Sequence, residues 1–327
     1  MKISILTPTW NRSDYLPRVW GGLKSQTYKN FEWIIADDGS TDETMEVVRE
    51  LAAKSDFEVT LIHSSIRVGK ARIDNEAIRA TLGDFILWCD SDDYLLPYAL
   101  EKLVNAWYSI PDLLRKDYVG VTALCATNEG VIYNPFPDVE YFDTSWNDLA
   151  EAHNIKQDLI YFSRASALKL HPFPEVDFVV PESVVWTSIG YKKTRFIPEV
   201  LKFVEYRAKN AISFTGKMEY NRGRAHALAT TTRNLSAYPH SIRLRIWRLL
   251  TFIRYCIHGE IGYQEALRIW GDNSFYFVFL MTIPIAYLLA LKDSLQGKVV
   301  KSHRDFLVAT GQAIITIERL NKCDKKN

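Results

Sequence analysis

Leu87-Trp88-Cys89-Asp90-Ser91-Asp92-Asp93-Tyr94-Leu95-Leu96-Pro97 opens as an apolar strand, continued from Phe85-Ile86, and places three carboxylates where that strand must end. In an open α/β sheet, ligands lie outside the carboxyl ends of the strands. Clustered carboxylate oxygens there suit a hard divalent cation, Mg²⁺ or Mn²⁺. A cation held by one or two carboxylates, with phosphate and water in its other positions, is the usual way a protein grips a diphosphate. A plainer reading also stands: Asp92 or Asp93 caps a helix beginning near Pro97, where negative charge complements the dipole.

Working outward, Ile3-Ser4-Ile5-Leu6 is a short apolar run bounded by Thr7-Pro8-Thr9, the pattern of a buried parallel strand. A helix follows from Tyr15 to about Ser25, capped by Ser13 or Asp14. Phe31-Glu32-Trp33-Ile34-Ile35-Ala36 is the second strand, and it too ends in paired acids, Asp37-Asp38, before Gly39-Ser40-Thr41-Asp42. A helix over 43–53, a strand over 59–63, a helix over 73–80 and a strand over 84–88 complete the pattern. Strands alternating with helices predict a doubly wound, mostly parallel α/β sheet. Two of its strand ends then carry acids on one rim, which capping alone does not explain.

Five blocks in this order and spacing resemble family 2 glycosyltransferases. They are Leu6-Thr7-Pro8-Thr9-Trp10-Asn11-Arg12, residues 25–33, Ile35-Ala36-Asp37-Asp38-Gly39-Ser40-Thr41-Asp42, Gly83-Asp84-Phe85-Ile86 and Asp90-Ser91-Asp92-Asp93. The resemblance covers residues 1–110 well and 111–210 more loosely. It implies the A-type glycosyltransferase fold, with a nucleotide-sugar-binding half (1–110) and an acceptor-side half of the same catalytic domain (111–215); residues 216–327 carry no family motif and are expected, from their composition, to form a helical, basic and apolar membrane-associating C-terminal region. It also implies residue roles. Pro8, Thr9 and Trp10 match the loop that holds the nucleoside, and Asp38 the acid that pairs with the base ring's N–H. Asp37 is then a turn or support residue. Arg72 matches a basic residue near the donor, although Ala71-Arg72-Ile73-Asp74-Asn75 departs from the family's usual sequence there. Asp90 and Asp92 match the Asp-x-Asp (DxD) motif, with Asp92 the direct metal ligand.

The chemistry asks for these residue types. Negative charge grows on the diphosphate as it leaves, and a divalent cation on Asp92 stabilises it. Lys70 or Arg72 adds to that field. The acceptor hydroxyl must lose a proton to a base within hydrogen-bond reach. By the resemblance, that base falls on Glu182, at the head of a helix over 184–190, with Asp177 as fallback. Pro181 stands where the family has the first acid of a pair. A role for Glu182 limited to complementing the helix dipole is the plainer alternative. The loop from Tyr133 to Trp146 is expected to carry acceptor specificity.

The 327 residues suffice for one large or two ordinary domains, and the formal net charge of +1 does not point to nucleic acid. Nine tryptophans and 13% aromatic residues fit carbohydrate or membrane-interface contacts. Four scattered cysteines form no metal or disulfide framework, which predicts a reducing compartment. Residues 217–258 hold eight cations and a single acid, Glu219, for a net +7. Apolar and aromatic residues interleave with these arginines, as in an amphipathic helix at an anionic lipid surface. Ser274 to Leu291 is a charge-free run of 18 residues broken by Pro284. It predicts a kinked interfacial helix or a re-entrant hairpin, with a buried core helix as alternative, and 302–320 predicts a last helix.

These readings converge on a metal-dependent (Mn²⁺ or Mg²⁺), inverting glycosyltransferase. The expected donor is a nucleotide sugar, with UDP as carrier, and the acceptor a hydroxyl of a lipid-linked or polysaccharide molecule. The expected location is the cytoplasmic face of the cell membrane, peripheral or monotopic, with residues 240–291 on the membrane surface. A catalytically decayed sugar-nucleotide-binding scaffold or regulatory protein is the alternative, motivated by Pro181. Nucleotidyl transfer ranks below both, for want of a Gly-rich phosphate loop.

Overall fold

Mainly apolar runs build the sheet first. The computed structural model describes residues 1–127, 130–131, 139–151, 158–176, 178–205, 221–235, 242–271, 276–299 and 312–321. Strands β1 (Ile3–Thr9), β2 (Phe31–Asp37), β3 (Glu58–Ser64) and β4 (Phe85–Trp88) alternate with helices α1 (Leu16–Lys24), α2 (Thr44–Ala53) and α3 (Lys70–Ala80). Next come β5 (Tyr94–Leu95), α4 (Ala99–Ser109), β6 (Tyr118–Thr127), β7 (Gly130–Val131), β8 (Phe142–Ser145) and α5 (Trp146–Glu151). Then β9 (Leu159–Arg164), α6 (Ala165–Leu170), α7 (Ser183–Ile189) and β10 (Lys193–Phe203) follow. The remainder is α8 (Asn221–Asn234), α9 (Ile242–His258), α10 (Tyr263–Trp270), α11 (Tyr276–Leu295) and β11 (Ile315–Asn321).

One sheet of 11 strands runs β11-β3-β2-β1-β4-β9-β6-β10-β5, with β7 on β6 and β8 on β10. β3, β2, β1 and β4 are mutually parallel, in a register that sets Ile5 beside Trp33 and Leu87. Every residue of β1 and β2 is buried. Both faces of these strands are therefore covered, as a parallel sheet requires. Trp33, Ile5, Ile35, Leu61 and Leu23 are 0% exposed, and each such side chain stabilises the fold by about 1.5–3 kcal/mol.

The sheet is mixed rather than mostly parallel. β9 lies antiparallel between β4 and β6, and β5, β8 and β11 are also antiparallel to their neighbours. An apolar run such as Leu159-Ile160-Tyr161-Phe162 carries no mark of strand direction, so hydrophobic pattern alone could not reveal this. The expected last helix also gives way. Residues 315–321 form β11, which extends the sheet at the free edge of β3, with Ile317 opposite Ile62. Residues 302–311 lie outside the described residues.

The chain separates into two compact units. The first holds the whole sheet, Met1–Pro172 with Ile189–Ser213 and Ala309–Asn327; the second is Phe173–Ser188 with Phe214–Val308. The second unit packs α8, α9, α10 and α11 around Phe252, Ile253, Leu249, Trp270 and Phe279. Gly223 lets α8 lie against the extended segment before α7, since a Cβ there would meet the Val179 carbonyl oxygen at 1.7 Å. α11 is one continuous helix containing Pro284, so the charge-free run is not a re-entrant hairpin. No helix among the described residues is long and apolar enough to cross a membrane.

Candidate active site

The carboxyl ends of β1, β2 and β4 meet at one rim, because β1 is hydrogen-bonded to both β2 and β4. Thr9 faces Asp37 across the ladder, and the Asp38 amide donates to the Thr9 carbonyl at 2.9 Å. The Pro8-Thr9-Trp10 loop and the Asp37-Asp38 pair are thus one structural block. Asp37 is fully buried and works inside it: its carboxylate accepts from the Ser40 amide at 3.0 Å and the Ser40 hydroxyl, and pairs with His63 Nδ1 at 2.8 Å.

Asp38 turns the other way along the rim. Its Oδ1 accepts from the Val68 amide at 2.6 Å and the Gly69 amide at 2.9 Å, and Arg67 Nε lies 3.5 Å from Oδ2. Burial pushes its carboxyl up to about 6, against the two amides and Arg67. These contacts fold the loop 66–69 back over the β2 end. They bring the Arg67 guanidinium 3.8 Å from the centre of the half-buried Trp10 ring. Gly69, at φ +89°, is the N-cap of α3, a backbone position that an L side chain rarely adopts. α3 therefore starts at Lys70, one turn earlier than the apolar periodicity marked. Lys70 Nζ lies 2.9 Å from Asp74 and 4.0 Å from Asp90. Arg72 sits on the same first turn, half-buried.

The second half of the rim is the turn after β4. The Asp93 amide donates to the Asp90 carbonyl at 2.9 Å, closing the turn. Its three carboxylates have different fates. The Asp93 side chain is only 4% exposed and lies 3.0 Å from Lys202 Nζ on β10; its Oδ1 also accepts from the Glu205 amide at 3.2 Å. Burial raises the Asp93 carboxyl to about 6, while Lys202 opposes it. Lys202 is itself held well above its usual value: burial, the largest influence, works to lower it, and Asp93 together with Cys125, Asp90 and Cys89 outweighs burial. The Asp92 side chain is 17% exposed, with Arg12 3.5 Å from its Oδ2. Burial, then the charge of Asp90, raises its carboxyl above the usual range. Asp90 is the most open, at 42% side-chain exposure. Arg18 donates to the Asp92 carbonyl and lies 3.6 Å from Glu205, so a cation from α1 also braces the turn.

Asp93 is thus a support residue, and Asp90 and Asp92 are the pair that faces outward. No group of three or more His, Cys, Asp or Glu side chains among the described residues is gathered as a metal cage. A two-carboxylate donor set still fits a hard cation whose remaining positions are filled by phosphate and water. Burial and then the charge of Asp90 work against an ionised Asp92 while Arg12 favours it, and a cation would offset the first two.

Glu182 belongs to the second unit. It caps α7: its carbonyl accepts from the Val185 and Trp186 amides, and the Trp186 indole N–H donates to its Oε2 at 3.3 Å. Asp177 and residues 133–138 of the expected specificity loop lie outside the described residues. The cations Arg12, Arg18 and Lys202 had no role in the motif reading. Lys202 left a signal, a lone lysine inside Val200-Leu201-Lys202-Phe203, where a buried charge requires a partner.

Residues 4–115 match the glycosyl transferase family 2 model. An uncharacterized glycosyltransferase of Haemophilus influenzae is 24% identical over 65% of this chain and 97% of its own length. The GalNAc(5)-diNAcBac-PP-undecaprenol beta-1,3-glucosyltransferase of Campylobacter jejuni is 31% identical over 32% of this chain, which spans 34% of that protein. Among solved structures, S. aureus TarS 1-349 in complex with UDP-GlcNAc aligns with a TM-score of 0.57 over 88% of this chain and 80% of that one. At 16% identity this likeness is one of fold. Residues 4–115 thus carry a glycosyl transferase family 2 domain, in a chain whose curated relatives are glycosyltransferases.

Proposed function

We propose that the protein transfers a sugar from a UDP-sugar to a hydroxyl of a lipid-linked or polysaccharide acceptor at the inner face of the cell membrane, with inversion. The outward pair Asp90 and Asp92, on the same rim as Trp10 and Asp38, carries this reading. That shared rim supports reading the pair as a diphosphate grip beside a nucleoside loop. The donor class is supported by the fold shared with a protein solved with UDP-GlcNAc. The acceptor class is supported by the lipid-linked substrate in the name of the Campylobacter relative.

Asp90 and Asp92 would hold Mn²⁺ or Mg²⁺, with Asp92 the direct ligand. When bound, such a cation neutralises charge gathering on the leaving diphosphate. This chain's own residues act around it. Trp10 and Arg67 bound the base, Asp38 accepts from its ring N–H, and Lys70 and Arg72 add positive charge on the diphosphate side. Glu182 takes the acceptor's proton as the oxygen bonds to the anomeric carbon and the bond to the diphosphate breaks. The Trp186 indole fixes the orientation of that carboxylate.

Calorimetric titration with UDP, with and without Mn²⁺, tests the donor half in wild type and Asp92→Ala. Metal-dependent binding present in wild type and lost in the variant is the expected result. Binding that ignores both metal and variant overturns the metal assignment. In turnover, Glu182→Gln should lose about 10²–10⁴-fold in kcat while UDP binding persists. Tight UDP binding by a wild type that turns over no acceptor would favour a decayed, sugar-nucleotide-binding scaffold instead.

A further inference from the structure

Helix α11 is packed the wrong way round for a helix in water. Its inward stripe is Phe279, Thr282, Ala286, Ala290 and Asp293, all buried and spaced by three or four residues. Apart from Phe279 these are small or polar. Its outward face carries the large apolar side chains. Met281 is 77% exposed, Ile285 51%, Leu288 65% and Leu295 80%, and Tyr287 and Leu291 are exposed beside them. Lys292 and Ser294 are the polar side chains on that face, both at its C-terminal end. The face runs from Leu280 to Leu295, about 22 Å at 1.5 Å per residue. A contiguous exposed apolar surface of this kind marks an interaction site.

Charge identifies the occupant. α8 and α9 carry seven arginines and no acid. Arg222 is paired with Glu265 and Arg254 with Asp293, and the unit's described residues hold ten arginines and lysines against five acids, so it keeps a net positive charge. Arg243 is exposed, as is the Trp247 indole at 55%. A two-fold contact with a second copy would set this cationic unit against itself. An anionic lipid surface satisfies both features: acyl chains receive the apolar side chains, and headgroups face the arginines. We infer that the second unit docks on anionic membrane surface, with α11 lying in the plane of the interface and its Met281–Leu288–Leu295 face toward the acyl chains. This inference does not rest on the catalytic assignment.

Vesicle flotation of the full chain tests it. Vesicles of phosphatidylcholine alone are compared with vesicles containing phosphatidylglycerol. Wild type should float with the anionic vesicles and stay largely behind with the neutral ones. Met281→Glu combined with Leu288→Glu alters two exposed side chains, so its thermal midpoint should match wild type. Its partitioning should fall by at least roughly tenfold. Wild type that floats with neither vesicle overturns the proposal, as does a double variant that floats equally well. A variant that changes sedimentation from dimer to monomer without vesicle binding by wild type would assign the face to a second copy.

Discussion

Asp38 shows how one side chain ties the fold to the site. Two backbone amides hold it in place, yet burial raises its carboxyl to about 6 from 3.8. A raised carboxyl in the folded state binds its proton more tightly than in the unfolded chain. Its contribution to stability is therefore full at low pH and declines as pH rises from about 4 through about 6. Asp38→Asn does not titrate. The stability of wild type relative to that variant should thus fall across this window, by up to about 3 kcal/mol for a shift of this size. Denaturant melts at pH 4 and pH 7 measure this difference, and a gap independent of pH would show that folding leaves the Asp38 pKa unshifted. Lys202 and Asp93 are the second case. Removing one member of a buried pair strands the other charge. Lys202→Met should cost about 3–5 kcal/mol, and Asp93→Asn added to it should restore part of that loss in the same melts.

At the scale of elements, the acidic turn is held from both sides. β4 feeds it from β1's edge, and β5 leaves it to pair antiparallel with β10 at Lys202 and Phe203. The Tyr94 and Phe203 rings stack 5.0 Å apart over that joint, so Asp90 and Asp92 sit on a short span with fixed ends. Much of this was legible in the residues. Ile3–Leu6, Phe31–Ala36 and Phe85–Trp88 are mainly apolar runs, broken only by Ser4 and Glu32, closed by Pro8, Gly39 or acids, and both their order and their shared rim follow from that. The start of α3 was less legible. Its first turn, Lys70-Ala71-Arg72, has no apolar periodicity, and only the backbone of Gly69 shows that the helix begins there, with Lys70 within 4.0 Å of Asp90. The orientation of α11 was not legible at all, since Leu, Met and Ala alternate along it whether it faces a core or an interface. Packing of Ala286 and Ala290 inward decides it.

For the molecule as a whole, the instructive strand is β11. Ile-Thr-Ile-Glu-Arg-Leu can be read as helix or strand, and its partner lies far away in sequence, so no local pattern could announce it. Asn321 completes the join: its Oδ1 accepts from the Val59 amide at 2.8 Å, and its Nδ2 donates to the Ala52 carbonyl at 2.8 Å. Asn321→Ala leaves both backbone groups without that partner. It should destabilise the sheet by about 1–3 kcal/mol in thermal or denaturant melts. An unchanged melt would show that β11 is held by its ladder alone.

The same join sets a timetable for biosynthesis. Val59 and Asn321 stand 262 positions apart. At about 5–20 residues per second, a translating ribosome needs on the order of tens of seconds between them. Through that interval the outer edge of β3 is an open template, and open edges recruit foreign strands. Nascent chains halted before Ile315 should therefore be the species that chaperones hold longest and that self-associate first. The parallel strands of the first unit, although they emerge early, are closed at their edge by a residue made 262 positions after Val59.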